Sequence, residues 1–139
     1  MTEQPREATG RFGAKSGTPP EDTVAKAANL RANLEEILDD VEMNLAYATR
    51  NGKSAFTRTS AEYAYGTVAI IRLGVLTESE NQTKYAACLG ALSDDELRGI
   101  RTMRNIAAHA GYAKMKDHLF WNALNTEVPT ALAKLRALL

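Results

Sequence analysis

Residues 104–109 read Arg-Asn-Ile-Ala-Ala-His, and the apolar residues on either side of them recur at the spacing of an amphipathic helix. Three side chains that form strong hydrogen bonds, those of Arg104, Asn105 and His109, therefore fall within one short stretch of a helix that must pack. Ser93 followed by Glu96 is a capping box and predicts where this helix begins. We interpret the polar cluster as the working site of a small, all-helical domain.

The angular positions of these residues on a helix decide which of them can act together. One face carries Arg98, Arg101, Asn105 and His109. The residues predicted to face the core are Ile100, Met103, Ala107 and Ala110. Arg104 lies about 140° from His109, so the two side chains cannot easily hold one small group within a straight helix. Either the helix ends or distorts before His109, or a second chain supplies the partner residue in a symmetric dimer.

Elsewhere the apolar pattern predicts three more long helices, giving an all-α, up-and-down four-helix bundle with a short fifth helix. The three long helices are predicted at roughly 18–50, 59–76 and 117–139, and the short one at roughly 84–89. Pro129 should kink or break the last helix because proline lacks a backbone donor. Residues 1–17 are too polar to offset their ordering entropy, so we expect a disordered tail before one domain at 18–139.

The charges are unevenly distributed along a chain of 139 residues whose formal net charge is zero. Residues 19–50 carry seven acids and three bases, whereas residues 98–139 carry seven bases and two acids. A local positive field of this kind attracts polyanions such as nucleic acids. The alternative is that the acidic first helix neutralises the basic C-terminal part within the fold.

Several classes of protein are not indicated by this sequence. Cys88 is the single cysteine, so no intramolecular disulfide forms, and its apolar neighbours favour a small core residue. No apolar run reaches membrane-spanning length and no secretion signal is present, so we expect a cytoplasmic protein. Two histidines and one cysteine give no credible metal site, and no glycine-rich phosphate loop occurs, so we expect no cofactor.

The polar cluster suits RNA cleavage without a metal. His109 can take a proton from a ribose 2′-hydroxyl or return one to the leaving oxygen, because histidine titrates near neutrality. Arg104 stays charged and offers a planar fork that matches phosphate oxygens. Asn105 could orient the imidazole or bind the phosphate. Arg98 and Arg101 would contact the RNA backbone, although both are also typical of a solvated helix surface.

The same residues resemble the C-terminal half of HepT-like proteins in the HEPN superfamily. The resemblance lies in the pattern Arg-Asn-x-x-x-His at 104–109, in Tyr112, and in a later helix with Trp121 and Pro129. The segment at 73–74 is similar to that family's Ile-Gly-Glu, except that Val75 replaces the acid. The interval between the histidine and the tyrosine is one residue longer here than is usual in the family.

This resemblance implies a dimer of helical bundles with arginine and histidine in an interface cleft. It also implies a metal-independent endoribonuclease toxin, silenced by a minimal nucleotidyltransferase antitoxin that attaches AMP to the tyrosine. Arg104 and His109 would then be catalytic, Asn105 would support them, and Tyr112 would be the AMP acceptor. The alternative function is a non-catalytic helical module that binds nucleotide, RNA or a partner nucleotidyltransferase.

Overall fold

The computed structural model describes the backbone of residues 20–110 and 116–139, and the side chains of 23–79, 81–108 and 116–139. The predicted all-α class is confirmed, since every regular element in these ranges is helical. The α-helices are α1 (Pro20–Thr49), α2 (Ala61–Gly74), α3 (Ser79–Gln82), α4 (Ala86–Leu89), α5 (Asp94–Asn105), α6 (Asp117–Asn125) and α7 (Glu127–Arg136). Two 3₁₀ turns (Lys53–Ala55 and Val75–Thr77) and one π-helix (Ile106–Ala110) complete the described elements.

Two compact units divide the chain, one ending at Asn33 and the other comprising Leu34–Leu139. The described part of the first unit is the beginning of α1, whose side chains from Thr23 onward are exposed except for half-buried Leu30. The predicted tail at 1–17 lies outside the described residues. None of the helices in the described ranges combines the length and the apolar character that crossing a membrane requires.

Within the second unit, the remainder of α1 buries the apolar stripe that its spacing predicts. The fully buried members of that stripe are Leu34, Leu38, Val41 and Ala48. Asn44 is also buried, and its Nδ2 donates a hydrogen bond to the Asp40 carbonyl oxygen at 2.8 Å. This bond satisfies a polar group whose burial the apolar pattern did not predict.

The start of α2 is fixed by Ser60, whose side chain accepts a hydrogen bond from the backbone N–H of Tyr63. The predicted start at position 59 was therefore close, but the α-helix ends at Gly74 and continues only as a 3₁₀ turn. Gly66 allows close packing in the middle of α2, since a Cβ there would lie 2.7 Å from Cδ1 of Leu124.

A cluster of aromatic rings forms one end of the core beside α2. Phe56, from the loop before α2, lies with its ring centroid 5.0 Å from that of Tyr63, 5.5 Å from Phe120 and 5.3 Å from Trp121. Phe120 is buried, whereas Trp121 is half-buried. Phe56 was not predicted as a core residue because it lies outside any helical repeat.

The predicted single helix at 117–139 is two helices, because the chain breaks at Thr126. Pro129 is the third residue of α7, in the first turn, where a backbone N–H would have no partner within the helix. The break therefore lies three residues before the proline. Of the two predicted effects of Pro129, a kink or a break, the structure shows a break. The short helix predicted at 84–89 is present as α4, which begins two residues later than predicted, and a second four-residue helix, α3, precedes it.

Candidate functional site

The helix that carries the polar cluster begins with the predicted capping box. The side chain of Ser93 accepts a hydrogen bond from the backbone N–H of Glu96 at 3.1 Å, and the backbone N–H of Ser93 donates to the Glu96 carboxylate at 2.8 Å. Lys134 of α7 also donates to this carboxylate, and its hydrogen bond is the main cause of the lowered pKa of Glu96. These contacts fix the start of α5 and join it to α7.

Arg104 lies where α5 meets the end of α2, and its side chain is only one-quarter exposed. Its Nη2 donates a hydrogen bond to Oε2 of Glu78 at 2.6 Å, a charge-assisted pair between two partly buried groups. Glu78 directly follows the 3₁₀ turn Val75–Thr77. The guanidinium is thus held in a defined position before any ligand is present.

The aliphatic part of Arg104 packs directly on Gly74. A Cβ atom at position 74 would lie 2.7 Å from Cβ of Arg104 and closer still to its Cγ, so a larger residue there would displace the arginine. The absence of a side chain at Gly74 therefore creates the surface on which Arg104 lies. The family resemblance includes this glycine, but the acid that accompanies Arg104 is Glu78 rather than a residue at position 75.

Asn105 is exposed, and its Oδ1 accepts a hydrogen bond from Nη1 of Arg104 at 3.3 Å. Arg104 is therefore the partner that the structure describes for Asn105. The Nε of Arg104 is buried without a hydrogen-bond partner among the described residues. An arginine has five N–H donors, so one N–H on each terminal nitrogen of Arg104 remains for a ligand.

The helix does change its geometry before position 109, which is one of the two predicted alternatives. The α-helix ends at Asn105, and Ile106–Ala110 forms a π-helix. Five residues of a π-helix span the arc of four in an α-helix, so positions 104 and 109 are separated by roughly 60° instead of about 140°. The side chain of His109 and the whole of Tyr112 lie outside the described residues.

Arg98 and Arg101 project from α5 into solvent, as predicted for either an RNA-binding or a purely solvated surface. Nη1 of Arg98 pairs with Asp95 at 2.9 Å, and both side chains are largely exposed. Such pairs contribute little stability and exchange readily with other partners. Arg101 has no acidic partner within the described ranges.

The basic C-terminal part of the chain is largely neutralised by acids within the second unit. Arg136 pairs with Glu42 at 2.7 Å and also contacts Asp39, and these hydrogen bonds raise the pKa of its guanidinium. Lys134 is neutralised by Glu96 in the same way. These contacts favour the neutralisation alternative over a broad positive field.

Where side chains are described, no cluster of three or more histidine, cysteine or acidic residues is arranged to hold a metal ion. The single thiol, that of Cys88, is partly buried, and this burial raises its pKa. The described polar side chains that lie together at the site are those of Arg104, Glu78 and Asn105.

No protein-family model, curated protein or solved structure matches this chain. The resemblance to HepT-like proteins accordingly depends on the residues themselves, above all on the interval between Arg104 and His109. The contacts of Arg104 with Gly74 and Glu78 do not depend on that resemblance, and any proposed function has to account for them.

Proposed function

We propose that the protein is a metal-independent endoribonuclease of the HepT-like HEPN type, with Arg104 and His109 acting in a cleft between two copies of the chain. The observation that carries this proposal is the arrangement of Arg104, whose side chain lies on Gly74 and is held by Glu78. Holding a charged group in position before the substrate arrives is how enzymes stabilise developing charge at low cost.

The proposed reaction is the transfer of a phosphodiester to the neighbouring ribose oxygen. The 2′-oxygen attacks phosphorus while His109 takes its proton, and the bond to the 5′-oxygen breaks. The leaving oxygen receives a proton from a second imidazolium, for which the His109 of the partner subunit is available in a dimer. The two free N–H groups of Arg104 donate to the phosphate oxygens. The products are a 2′,3′-cyclic phosphate and a 5′-hydroxyl.

In this proposal the protein is a cytoplasmic toxin, and a minimal nucleotidyltransferase is its antitoxin. Transfer of AMP to Tyr112 would place a bulky, negatively charged group three residues after His109 and so block RNA binding. Expression of the chain alone is expected to arrest growth. Co-expression of a cognate nucleotidyltransferase is expected to relieve the arrest, and Tyr112→Phe is expected to make that relief fail.

The decisive experiment measures RNA cleavage by the purified protein in the presence of a chelator. Formation of 2′,3′-cyclic phosphate ends is expected for the wild type and is expected to fall at least about a hundredfold in Arg104→Ala and His109→Ala. Arg72→Ala is the matched control, because Arg72 is also a partly exposed arginine paired with an acid, Asp40, on another helix. Full activity of Arg104→Ala would contradict the proposed site.

Glu78 is a positioning residue in this scheme, because it acts through Arg104. Glu78→Gln keeps an acceptor but removes the charge that holds the guanidinium, so we expect kcat to fall about tenfold while KM changes little. If Glu78 had only a structural role, Glu78→Gln would change the free energy of unfolding without lowering kcat at a nearly constant KM.

A non-catalytic binding module is the second candidate, and one observation favours it. The carboxylate of Glu78 already neutralises Arg104, and the other paired bases leave little net positive charge for RNA. For such a module this charge balance favours a partner nucleotidyltransferase over RNA or nucleotide, and the module would produce no cyclic phosphate ends. The chelator experiment with several RNAs therefore separates the two candidates.

A further inference from the structure

A groove of about 390 Å³ opens beside α5, between that helix and the segment from α3 to Leu92. Its apolar surface is formed by the buried residues Leu89 and Leu92 and by half-buried Leu97. The polar side chains along it are those of Gln82, Asp94 and Arg101. Binding sites for small molecules usually combine an apolar surface of this kind with a few polar groups. The groove can therefore accept a flat ring that has polar atoms at its edge.

The groove lies next to Arg104 along both of the segments that form it. On α5, Arg101 precedes Arg104 by one helical turn, so their Cβ atoms lie about 5–6 Å apart on one side of the helix. On the other segment, Gln82 donates from Nε2 to the carbonyl oxygen of Thr77 at 2.9 Å. Thr77 directly precedes Glu78, the partner of Arg104. Adjacent phosphates of an RNA strand are a similar distance apart, so a strand with one phosphate at Arg104 can place the next at Arg101.

Arg101 is the group in the groove that can hold a phosphate. Its side chain is exposed and has no acidic partner in the part of the chain whose side chains are described. Arg98 on the same helix differs, because it pairs with Asp95 at 2.9 Å. An unpaired guanidinium offers its planar fork to a phosphate without first losing another partner. The charge at this end of the groove is therefore complementary to the RNA backbone.

The other end of the groove carries hydrogen-bond acceptors. Asp94 lies seven residues before Arg101, so their Cα atoms are about 10 Å apart along α5, which is comparable with the length of one nucleotide. An ionised carboxylate can only accept hydrogen bonds. The bond from Gln82 to Thr77 orients the amide of Gln82 and leaves its Oε1 able to accept as well. Both groups favour a base edge with an amino group, as in adenine, cytosine and guanine, over the carbonyl oxygens of uracil.

We propose that this groove binds the nucleotide next to the cleaved phosphodiester and selects a base that carries an amino group. Arg101 holds the phosphate, the leucines contact the face of the base, and Asp94 and Gln82 accept hydrogen bonds from the amino group. The inference rests on the proposed function for the cleavage at Arg104. Binding in the groove does not itself require cleavage, so the two can be tested separately.

The first test measures the binding of oligonucleotides that cannot be cut because they lack the 2′-hydroxyl. Oligomers of deoxyadenosine, deoxycytidine and deoxyuridine with a fluorescent label are titrated with the full chain, and the anisotropy gives Kd. We expect the deoxyadenosine and deoxycytidine oligomers to bind at least about tenfold more tightly than the deoxyuridine oligomer, because uracil offers no amino group to the acceptors. Equal affinity for all three oligomers would overturn the inference.

The second test assigns this preference to the groove. Asp94→Asn introduces a donor at the acceptor end, so the difference between the oligomers should shrink to about twofold. Asp95→Asn is the matched control, because Asp95 is the next acid in the same turn and lines a different groove. If Asp94→Asn keeps the wild-type preference, or if Asp95→Asn loses it equally, the groove does not select the base.

The third test concerns the phosphate. Arg101→Gln should weaken the binding of all three oligomers and lower the slope of log affinity against log salt concentration by about 1. Arg98→Gln is its control, since Arg98 is also an exposed arginine of α5 and lines the other groove. An unchanged salt slope in Arg101→Gln would show that no phosphate lies there.

Cleavage assays distinguish this inference from the proposed function. Selective binding that responds to the variants as expected, without any cut RNA, would refute the endoribonuclease and leave the groove as a nucleotide-binding site. RNA that is cut beside uridine as readily as beside cytidine, with equal binding of all oligomers, would refute the groove and leave the chemistry of Arg104 in place.

Discussion

Replacing Gly74 with alanine is the most direct test of how Arg104 is positioned. The substitution leaves Arg104 itself unchanged and adds one methyl group beneath it. That methyl carbon would lie 2.7 Å from Cβ of Arg104, whereas non-bonded carbon atoms rest at about 3.5–4.0 Å. Cβ is attached to the backbone, so α5 must move by about 1 Å or the arginine must leave its place.

Two opposing terms set the size of the effect. Overpacking a buried contact costs about 1–3 kcal/mol, while alanine is about 1 kcal/mol better than glycine in a helix interior. We therefore expect Gly74→Ala to reduce the free energy of unfolding by about 1 kcal/mol. Gly99→Ala adds the same methyl group in open space, so it should raise the free energy of unfolding of the monomer by up to about 1 kcal/mol.

Urea unfolding followed by circular dichroism measures both variants, at a protein concentration low enough for the wild type to be monomeric. The expected separation between them is about 2 kcal/mol, or about 8 °C in Tm. RNA cleavage should fall in Gly74→Ala and should not fall in Gly99→Ala. If both substitutions shift the unfolding midpoint in the same direction by similar amounts, the close packing of Arg104 on Gly74 is wrong.

Three further predictions concern other parts of the second unit. Glu96→Gln should remove a pH-dependent contribution to the free energy of unfolding. Because the pKa of Glu96 is lowered in the folded protein, this contribution is present above about pH 4.5 and is lost on acidification. The urea midpoints of the wild type and the variant should therefore converge as the pH falls from about 7 to about 3. Cys88 should react with iodoacetamide at pH 8 more slowly in the folded protein than in urea, because burial raises the pKa of its thiol. Leu38→Ala, at a fully buried position, should cost about 2–5 kcal/mol in the free energy of unfolding, and a cost below 1 kcal/mol would contradict its place in the core.

Elements with strong local signals could be predicted from the sequence. The capping box at Ser93 and the apolar stripe of α1 involve residues within a few positions of one another, so the spacing alone carries the information. The same holds for the break before Pro129, which follows from the missing donor of a single residue. In each case the local preference and the tertiary packing agree.

The site could be predicted only in part. Arg104 is in the predicted polar cluster, but its partner Glu78 lies 26 residues away and is brought to it by the 3₁₀ turn after α2. No periodicity signals such a pair, because it depends on how two helices meet. Gly74 is a usable signal, since a glycine near the end of a buried helix predicts close approach. The π-helix at Ile106–Ala110 was foreseen only as an unspecified distortion.

The π-helix at Ile106–Ala110 determines how the chain would respond to the loss of one residue after Asn105. A turn closed at every fifth residue contains one residue more than an α-helical turn, so deleting Ala107 or Ala108 would still allow a hydrogen-bonded helix to form. The four remaining residues would span the arc that five span now, so everything beyond the deletion would keep nearly its present direction around the helix axis. Two chains that differ by one alanine in this segment would thus differ in the type of helix and yet present their histidines in nearly the same direction.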